Sequence, residues 1–238
     1  MRSLVVYAGS RQVGQLHEGD DLWCFEYDPD WAQAPDGFDL APGLPRKVRE
    51  HMDGGTLRPV QWFFDNLLPE ELLRQAVSKE AGIQGEDAFA LLQYLGAESA
   101  GSLTLLPPEQ ALPQTSALRD LPHAQLSARI HHLPRQTLTA DAPKRMSLAG
   151  AQHKLLVVYH QGRLYEPEGA TPSTHILKPN HPDTDMYPAS VVNEYLTMRL
   201  ARAVGLPVPA VHMLYVPEPV YVVQRLSLIH ISEPTRRS

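Results

Sequence analysis

The pattern of hydrophobic and polar positions in the first hundred residues predicts a small antiparallel sheet. Short apolar runs at residues 4–8, 12–16 and 22–27 are separated by turn residues, which is typical of successive strands. Residues 28–60 contain Pro, Gly and Asp at many positions and are predicted to be mostly loop. A further apolar run at residues 101–106 ends before two prolines and is predicted to be another strand.

Two helices are predicted before the strand at residues 101–106. Pro69, with acidic residues directly after it, is typical of a helix N-terminus, and Gly82 is typical of a helix end. The apolar positions between them are predicted to share one face, which consists of Leu72, Leu73, Ala76 and Val77. A second helix is predicted over residues 87–95, because Gly96 follows its apolar pattern.

The second half of the chain is predicted to begin with a connector and to continue as a sheet. Residues 107–143 hold six prolines and show no period before residues 126–132, so we predict a connector with at most one short helix, and a domain boundary. Gln161 and Gly162 are predicted to form a hairpin turn. The apolar runs after the connector predict strands at residues 154–159, 163–165, 174–178, 211–215 and 220–224.

One longer helix is predicted within this second sheet, over residues 190–204. Ser190 is predicted to cap its N-terminus, and Gly205 to end it. The predicted apolar face consists of Val192, Leu196, Leu200 and Ala203. Strands and helices in this order predict an α+β fold class.

Composition limits the function classes. Cys24 is the only cysteine, which excludes an intrachain disulfide framework and a cysteine zinc site and fits a reducing cytoplasm. The longest apolar runs are far shorter than the ~20 residues that span a bilayer, so no membrane partner is expected. Residues 1–25 lack a basic start followed by an apolar stretch, so no secretory signal is predicted.

Charge is distributed unevenly along the chain. Residues 1–138 carry 19 acidic and 11 basic side chains, whereas residues 139–238 carry 8 acidic and 10 basic ones. The acidic front half argues against strong nucleic-acid binding by this chain itself, because phosphate contacts need clustered Lys and Arg. The back half is compatible with a small ligand that bears phosphate, although ordinary solvation explains the asymmetry equally well.

Three features of the second half are candidates for chemistry. Small residues at 147–154 (SLAGAQHK) precede a strand, Lys178 ends an apolar strand, and Glu194 lies in the following helix. Each has an ordinary structural explanation: a tight turn, a solvated strand end and a helix surface acid. Their order, however, is that of a protein-kinase N-lobe, in which the Lys contacts nucleotide phosphates and pairs with the helix Glu.

Other common sites are not predicted. The phosphate-loop pattern and the G-x-G-x-x-G fingerprint are absent from the sequence. His131 and His132 are neighbours, and on a helix they point about 100° apart, which is poor geometry for one metal ion. No metal-binding residues are therefore predicted.

Several stretches of the sequence are distinctive. They are residues 147–154 (SLAGAQHK), 171–179 (TPSTHILKP), Asn193-Glu194 and 205–208 (GLPV), and in the front half residues 63–70 (FFDNLLPE) and 95–103 (LGAESAGSL). In these residues the sequence closely resembles the HipA family of serine/threonine kinase toxins, which work in type II toxin–antitoxin pairs. The resemblance extends from about residue 2 to about residue 225.

The resemblance implies roles for individual residues, with ATP and Mg²⁺ as cofactors. Lys178 would hold the ATP phosphates and Glu194 would orient it. Ser147 matches a serine that family members phosphorylate on themselves, and the added negative charge would repel ATP and switch the kinase off. The loop over the phosphates would comprise Ala149, Gly150, Ala151, Gln152, His153 and Lys154. The hinge that contacts adenine would be residues 223–226, which include Gln224, Arg225 and Leu226. His153 stands where the family commonly has an acidic residue.

The resemblance also implies partners. They are a helix-turn-helix antitoxin (HipB-like), operator DNA contacted mainly through that antitoxin, and a protein substrate, which in studied members is an aminoacyl-tRNA synthetase. Two alternatives are a non-catalytic antitoxin-binding module or decoy, and a different ATP-dependent kinase of small molecules.

The expected organisation has four parts. They are an N-terminal subdomain at residues 1–107, the connector at 108–143, a kinase-like N-lobe at 144–226 with an antiparallel sheet and one Glu-bearing helix, and a non-native tail at 227–238. A kinase C-lobe supplies a catalytic Asp and the ligands of Mg²⁺, and Asp185 is the last Asp of this chain. We therefore expect the C-lobe to be missing from these residues and phosphate transfer to be absent.

Overall fold

The computed structural model describes residues 1–96, 103–143, 149–150 and 152–226. The chain divides into two compact units, the first formed by residues 1–112 and 145–150 and the second by residues 113–144 and 151–238. The predictions for the start of the strand at residue 101, for Ser147 and Ala151, and for the tail at 227–238 fall outside the described residues.

The first unit contains an antiparallel sheet of five strands: β1 (Arg2–Ala8), β2 (Arg11–Gly19), β3 (Leu22–Tyr27), β4 (Glu50–Met52) and β5 (Leu103–Leu106). Their spatial order is β4-β3-β2-β1-β5. Asp20 and Asp21 join β2 to β3 with φ angles of 51° and 60°, so this two-residue turn has the left-handed conformation that matches the twist of the strands. The predicted opening sheet is confirmed.

Four helices accompany this sheet: α1 (Pro29–Gln33), α2 (Pro59–Asp65), α3 (Glu71–Ala81) and α4 (Ala88–Leu95). The predicted helices α3 and α4 are confirmed. Residues 28–60 are mostly loop, as predicted, and they also contain α1, β4 and the start of α2, which the sequence pattern did not single out. Asp28 caps α1, and the buried Asp53 carboxylate accepts hydrogen bonds from the backbone N–H groups of Val60 and Gln61 at 2.9 and 3.0 Å, so local capping by Asp makes these short elements possible.

The core of the first unit is rich in aromatic side chains. Phe25, Tyr27, Phe64 and Phe89 are fully buried, and the Tyr27 hydroxyl donates to the carbonyl of Leu44 at 2.6 Å. Helix α3 contributes Leu73 and Val77 to this core, whereas Leu72 is 76% exposed. The predicted face of α3 therefore needs a correction at Leu72, which lies about 100° around the helix from Leu73 and outside the side that the core covers.

The second unit contains an antiparallel sheet of six strands: β6 (Ser116–Asp120), β7 (Leu155–His160), β8 (Arg163–Gly169), β9 (His175–Pro179), β10 (Val211–Tyr215) and β11 (Pro219–Gln224). Their spatial order is β10-β11-β9-β7-β8-β6. Gln161 and Gly162 have φ angles of 50° and 79° and form the predicted hairpin turn. The mixed α+β character of the chain, with two antiparallel sheets, agrees with the prediction.

The predicted connector contains regular structure that belongs to the second unit. Strand β6 pairs with β8, and helix α5 (His123–His131) follows it. The expectation of a connector with at most one short helix missed β6. Arg129 of α5 and Glu166 of β8 are both buried and form an ion pair at 2.7 Å, which fastens this segment to the sheet.

The longest helix, α6 (Ser190–Ala203), packs against β10 and β11. Val191 is buried, whereas Leu196 and Leu200 are 59% and 65% exposed, and Ala203 is also exposed. The predicted apolar face of this helix was therefore wrong. The spacing correctly grouped residues that share a side of the helix, but the sheet meets a different side, which carries Val191 and Glu194.

No helix within the part of the chain that the structure describes is long and apolar enough to cross a membrane.

Candidate functional site

Lys178 and Glu194 form an ion pair in the second unit. Lys178 lies in β9 and Glu194 in α6, and the Lys178 Nζ atom is 2.7 Å from Glu194 Oε2. Their side chains are 22% and 31% exposed, so the pair is partly shielded from water while one side remains accessible. A charge-assisted bond of this length fixes the ammonium in a defined place at the end of the strand.

The end of β9 is attached to the start of α6 by side-chain hydrogen bonds. Asn180 Oδ1 accepts from the backbone N–H of Val191 at 3.0 Å, and Ser190 Oγ accepts from the backbone N–H of His181 at 2.8 Å. Asn180 therefore caps the helix from outside, and the prediction that Ser190 is the N-cap is corrected, since Ser190 is already the first helical residue. These bonds fix the strand that carries Lys178 relative to the helix that carries Glu194.

Tyr221 completes the surroundings of the lysine. In the β9–β11 register it lies directly opposite Lys178, and its ring centroid is 6.0 Å from Lys178 Nζ. The ring is 3% exposed. Burial, reinforced by the charge of Glu194, raises the pKa of the Tyr221 hydroxyl to about 12, so this group stays neutral beside the ion pair.

The residues before β7 lie beside the end of β9. Leu155 pairs with Leu177, and the side-chain amide of Gln152 donates to the carbonyl of Pro179 at 3.5 Å. His153 is 7% exposed, and its Nδ1 atom has no hydrogen-bond partner among the described residues. Burial, and secondarily the nearby His181, lowers the pKa of the His153 imidazole.

Two residues of the predicted phosphate loop, Ala149 and Gly150, are not in the same unit as Lys178. Ala149 and Gly150 belong to the first unit, where the Gly150 carbonyl accepts from the Glu70 backbone N–H at 3.5 Å and Gly150 forms an isolated bridge with Pro69. Ser147 and Ala151 lie outside the described residues. Gln152 is thus joined to the end of β9 in the second unit, together with Lys178 and Glu194.

The predicted hinge residues, 223–226, comprise the last two residues of β11 and the two residues after it. We call residues 224–226 the hinge segment. Gln224 ends β11 opposite His175, and Leu226 is 68% exposed. The Arg225 backbone N–H donates to the carbonyl of Thr174 at 3.0 Å, and its guanidinium donates to Ser173 Oγ at 2.5 Å.

Sequence reasoning missed three residues of this region, namely Tyr221, Asn180 and Ser173. Only Asn180 carried a usable signal, because an Asn between a strand and a helix is a common capping residue. The roles of Tyr221 and Ser173 depend on strand register and on a contact across 52 positions of sequence.

Within the described residues, no group of three His, Cys, Asp or Glu side chains is placed to hold a metal ion.

Comparison with known proteins identifies the family. Residues 4–106 match the family model of the HipA N-terminal domain, and residues 146–228 match that of the HipA-like C-terminal domain. The chain belongs to the HipA family.

Curated relatives and a solved structure agree with this assignment. The chain is 31% identical to the serine/threonine-protein kinase toxin HipA of Shewanella oneidensis over 90% of its own length and 47% of that protein. It is 35% identical to the putative kinase Y4mE of Sinorhizobium fredii over 89% of its own length and 50% of that protein. A structure of the Shewanella oneidensis HipA, HipB and operator DNA complex matches with a TM-score of 0.73 at 30% identity, covering 93% of this chain and 50% of the other. The chain therefore spans about half the length of these relatives.

Proposed function

We propose that these 238 residues bind ATP as part of a HipA-like serine/threonine kinase, with Lys178 as the phosphate ligand. The supporting observation is the ion pair of Lys178 and Glu194, which presents a positive charge at the end of a strand with Tyr221 beneath it. This arrangement of a strand lysine and a helix glutamate is the one that protein kinases use for nucleotide phosphates. The second unit would then be the kinase-like N-lobe.

Each residue of the site has a defined task in this proposal. Lys178 donates hydrogen bonds to phosphate oxygens, and Glu194 holds the ammonium in place without consuming all three of its donors. The hinge segment offers backbone groups to the adenine base. When Mg²⁺ is bound, it supplies additional positive charge to the phosphates. Because no Asp follows Asp185 in the sequence, we propose ATP binding, and not phosphate transfer, for these residues.

The test is an ATP titration of the 238-residue chain by ligand-observed NMR, which detects millimolar affinity. Lys178→Met keeps the length of the side chain and removes the charge, and we expect the affinity to fall at least about tenfold, as for loss of a charge-assisted hydrogen bond. Lys79→Met, at an exposed lysine of α3 in the first unit, is the matched control and should leave the affinity unchanged. Equal binding by Lys178→Met and the unmodified chain would refute the assignment of Lys178.

We also propose that the protein pairs with a HipB-like antitoxin and that operator DNA is contacted through that partner. The support is the matching structure, which contains HipA, HipB and operator DNA. The acidic balance of residues 1–138 is consistent with a chain that leaves DNA contact mainly to its partner. Co-expression with a HipB-like helix-turn-helix protein should give a stable complex on size-exclusion chromatography, and two separate peaks would argue against the pairing.

A further inference from the structure

We propose that Ser173 is a positioning residue for the hinge segment and that its contact with Arg225 sets how tightly the site binds the base of the nucleotide. The inference rests on the proposed function, because the hinge segment matters for ATP only if the phosphates bind at Lys178. The hinge segment would contact the base of ATP, whereas Lys178 would contact the phosphates. The role of Ser173 can therefore be tested separately from the role of Lys178.

Two adjacent residues hold Arg225. The guanidinium Nη1 donates to Ser173 Oγ at 2.5 Å, and the backbone N–H donates to the carbonyl of Thr174 at 3.0 Å. Ser173 is 8% exposed, so water competes little for its hydroxyl. The side-chain bond is charge-assisted, which makes it one of the stronger contacts available to a neutral hydroxyl.

The residues that hold Arg225 are themselves fixed to the sheet. The Thr174 backbone N–H donates to the carbonyl of Val157 in β7 at 3.0 Å. On the other side, the Gln224 backbone N–H donates to the carbonyl of Ala210 at 2.9 Å. Strand β11 ends at Gln224, so Arg225 is the point at which the chain leaves the sheet. Ser173 therefore controls the direction in which the hinge segment continues.

Distance separates this contact from the phosphate end of the site. Ser173 precedes β9, and Lys178 lies five positions later along the same extended segment. At about 3.3 Å per residue, the three steps within β9 from His175 to Lys178 alone span roughly 10 Å, and Ser173 lies before His175. Ser173 is therefore too distant to contact phosphates that are held by Lys178. A change at Ser173 should alter recognition of the base and leave recognition of the phosphates intact.

The experiment compares ATP with inorganic tripolyphosphate, which carries the phosphates without the base. Both are titrated by ligand-observed NMR into the 238-residue chain and into Ser173→Ala, Ser173→Thr and a control, Ser116→Ala, at an exposed position of β6. We expect Ser173→Ala to bind ATP about tenfold more weakly and to bind tripolyphosphate as the unmodified chain does. Ser173→Thr keeps the hydroxyl and should restore most of the ATP affinity.

Other results would overturn the inference. Unchanged ATP affinity in Ser173→Ala would show that the contact does not matter for the base, whereas an equal loss for both ligands would show a general structural role. If the unmodified chain binds neither ligand, the proposed function itself fails. If Ser173→Ala does not fold, as judged by circular dichroism, Arg225→Gln is used instead, because it removes the charged partner of Ser173. The affinities of this variant for ATP and for tripolyphosphate are then compared in the same way.

Discussion

Tyr221 lies directly opposite Lys178 across the β9–β11 pair, with its ring centroid 6.0 Å from the lysine ammonium. The ring is buried and fills the sheet face below the ion pair. We expect Tyr221→Ala to lower the free energy of unfolding by about 3–5 kcal/mol, because it leaves a cavity the size of an aromatic ring. Tyr221→Phe keeps the ring and should cost less than about 1.5 kcal/mol. Urea denaturation measures both, and a similar loss for the two variants would show that the hydroxyl, rather than the ring, stabilises this face.

The sequence predicted much of the second sheet, but not the neighbours of its charged residues. The alternation and the flanking turns placed the strand that ends near Lys178 and the helix that carries Glu194, so the pair itself was foreseen from their order. Tyr221 was not foreseen, because a single sequence does not state which residues of two strands lie opposite each other.

The two larger errors have different physical causes. Strand β6 is short and mostly exposed, so it carries no alternating pattern. Its pairing with β8 is supported by ion pairs of Arg119 with Glu166 and of Asp120 with Arg163, which no local pattern in the sequence predicts. In α6 the apolar spacing was real, but Leu196 and Leu200 point to solvent and the sheet meets the side of Val191. Periodicity groups residues on one side of a helix, and only tertiary packing decides which side is covered.

The ion pair of Lys178 and Glu194 should matter more for ligand binding than for stability. Both side chains are partly exposed, so we expect Glu194→Gln to change the free energy of unfolding by less than about 1 kcal/mol. The same change should weaken ATP binding, because the ammonium loses the partner that holds it in place. Chemical denaturation and an ATP titration of the same sample separate the two effects. A large loss of stability without a change in ATP affinity would mean that the pair is structural.

The buried carboxylate of Glu166, unlike the ion pair of Lys178 and Glu194, should matter strongly for stability. Glu166 is fully buried and accepts hydrogen bonds from Arg129 at 2.7 Å and from Arg119 at 2.8 Å. Glu166→Gln leaves the buried Arg129 without its counter-charge, and removal of one partner of such a pair costs about 3–5 kcal/mol.

The matched control for this change lies on the same strand. Glu168→Gln, at a half-buried position two residues further along β8, should change the free energy of unfolding by less than about 1 kcal/mol. Urea denaturation measures both variants. If the two lose the same stability, the network of Glu166 with the two arginines does not anchor β6 and α5 to the sheet.

His153 predicts how stability depends on pH. Burial, with a secondary contribution from His181, lowers the pKa of its imidazole below the ordinary value of 6.5, so the folded chain keeps this side chain neutral where the unfolded chain protonates it. The associated stability is therefore fully present above pH 6.5 and is lost as the pH falls below that value towards the lower pKa of the folded state. His153→Gln removes the titrating group and should flatten this part of the curve of unfolding free energy against pH.

His160→Gln, at an exposed position at the end of β7, is the control and should leave the slope unchanged. If the slope below pH 6.5 persists in His153→Gln, another group is responsible; His175, whose pKa is also lowered by burial, would be the next to replace.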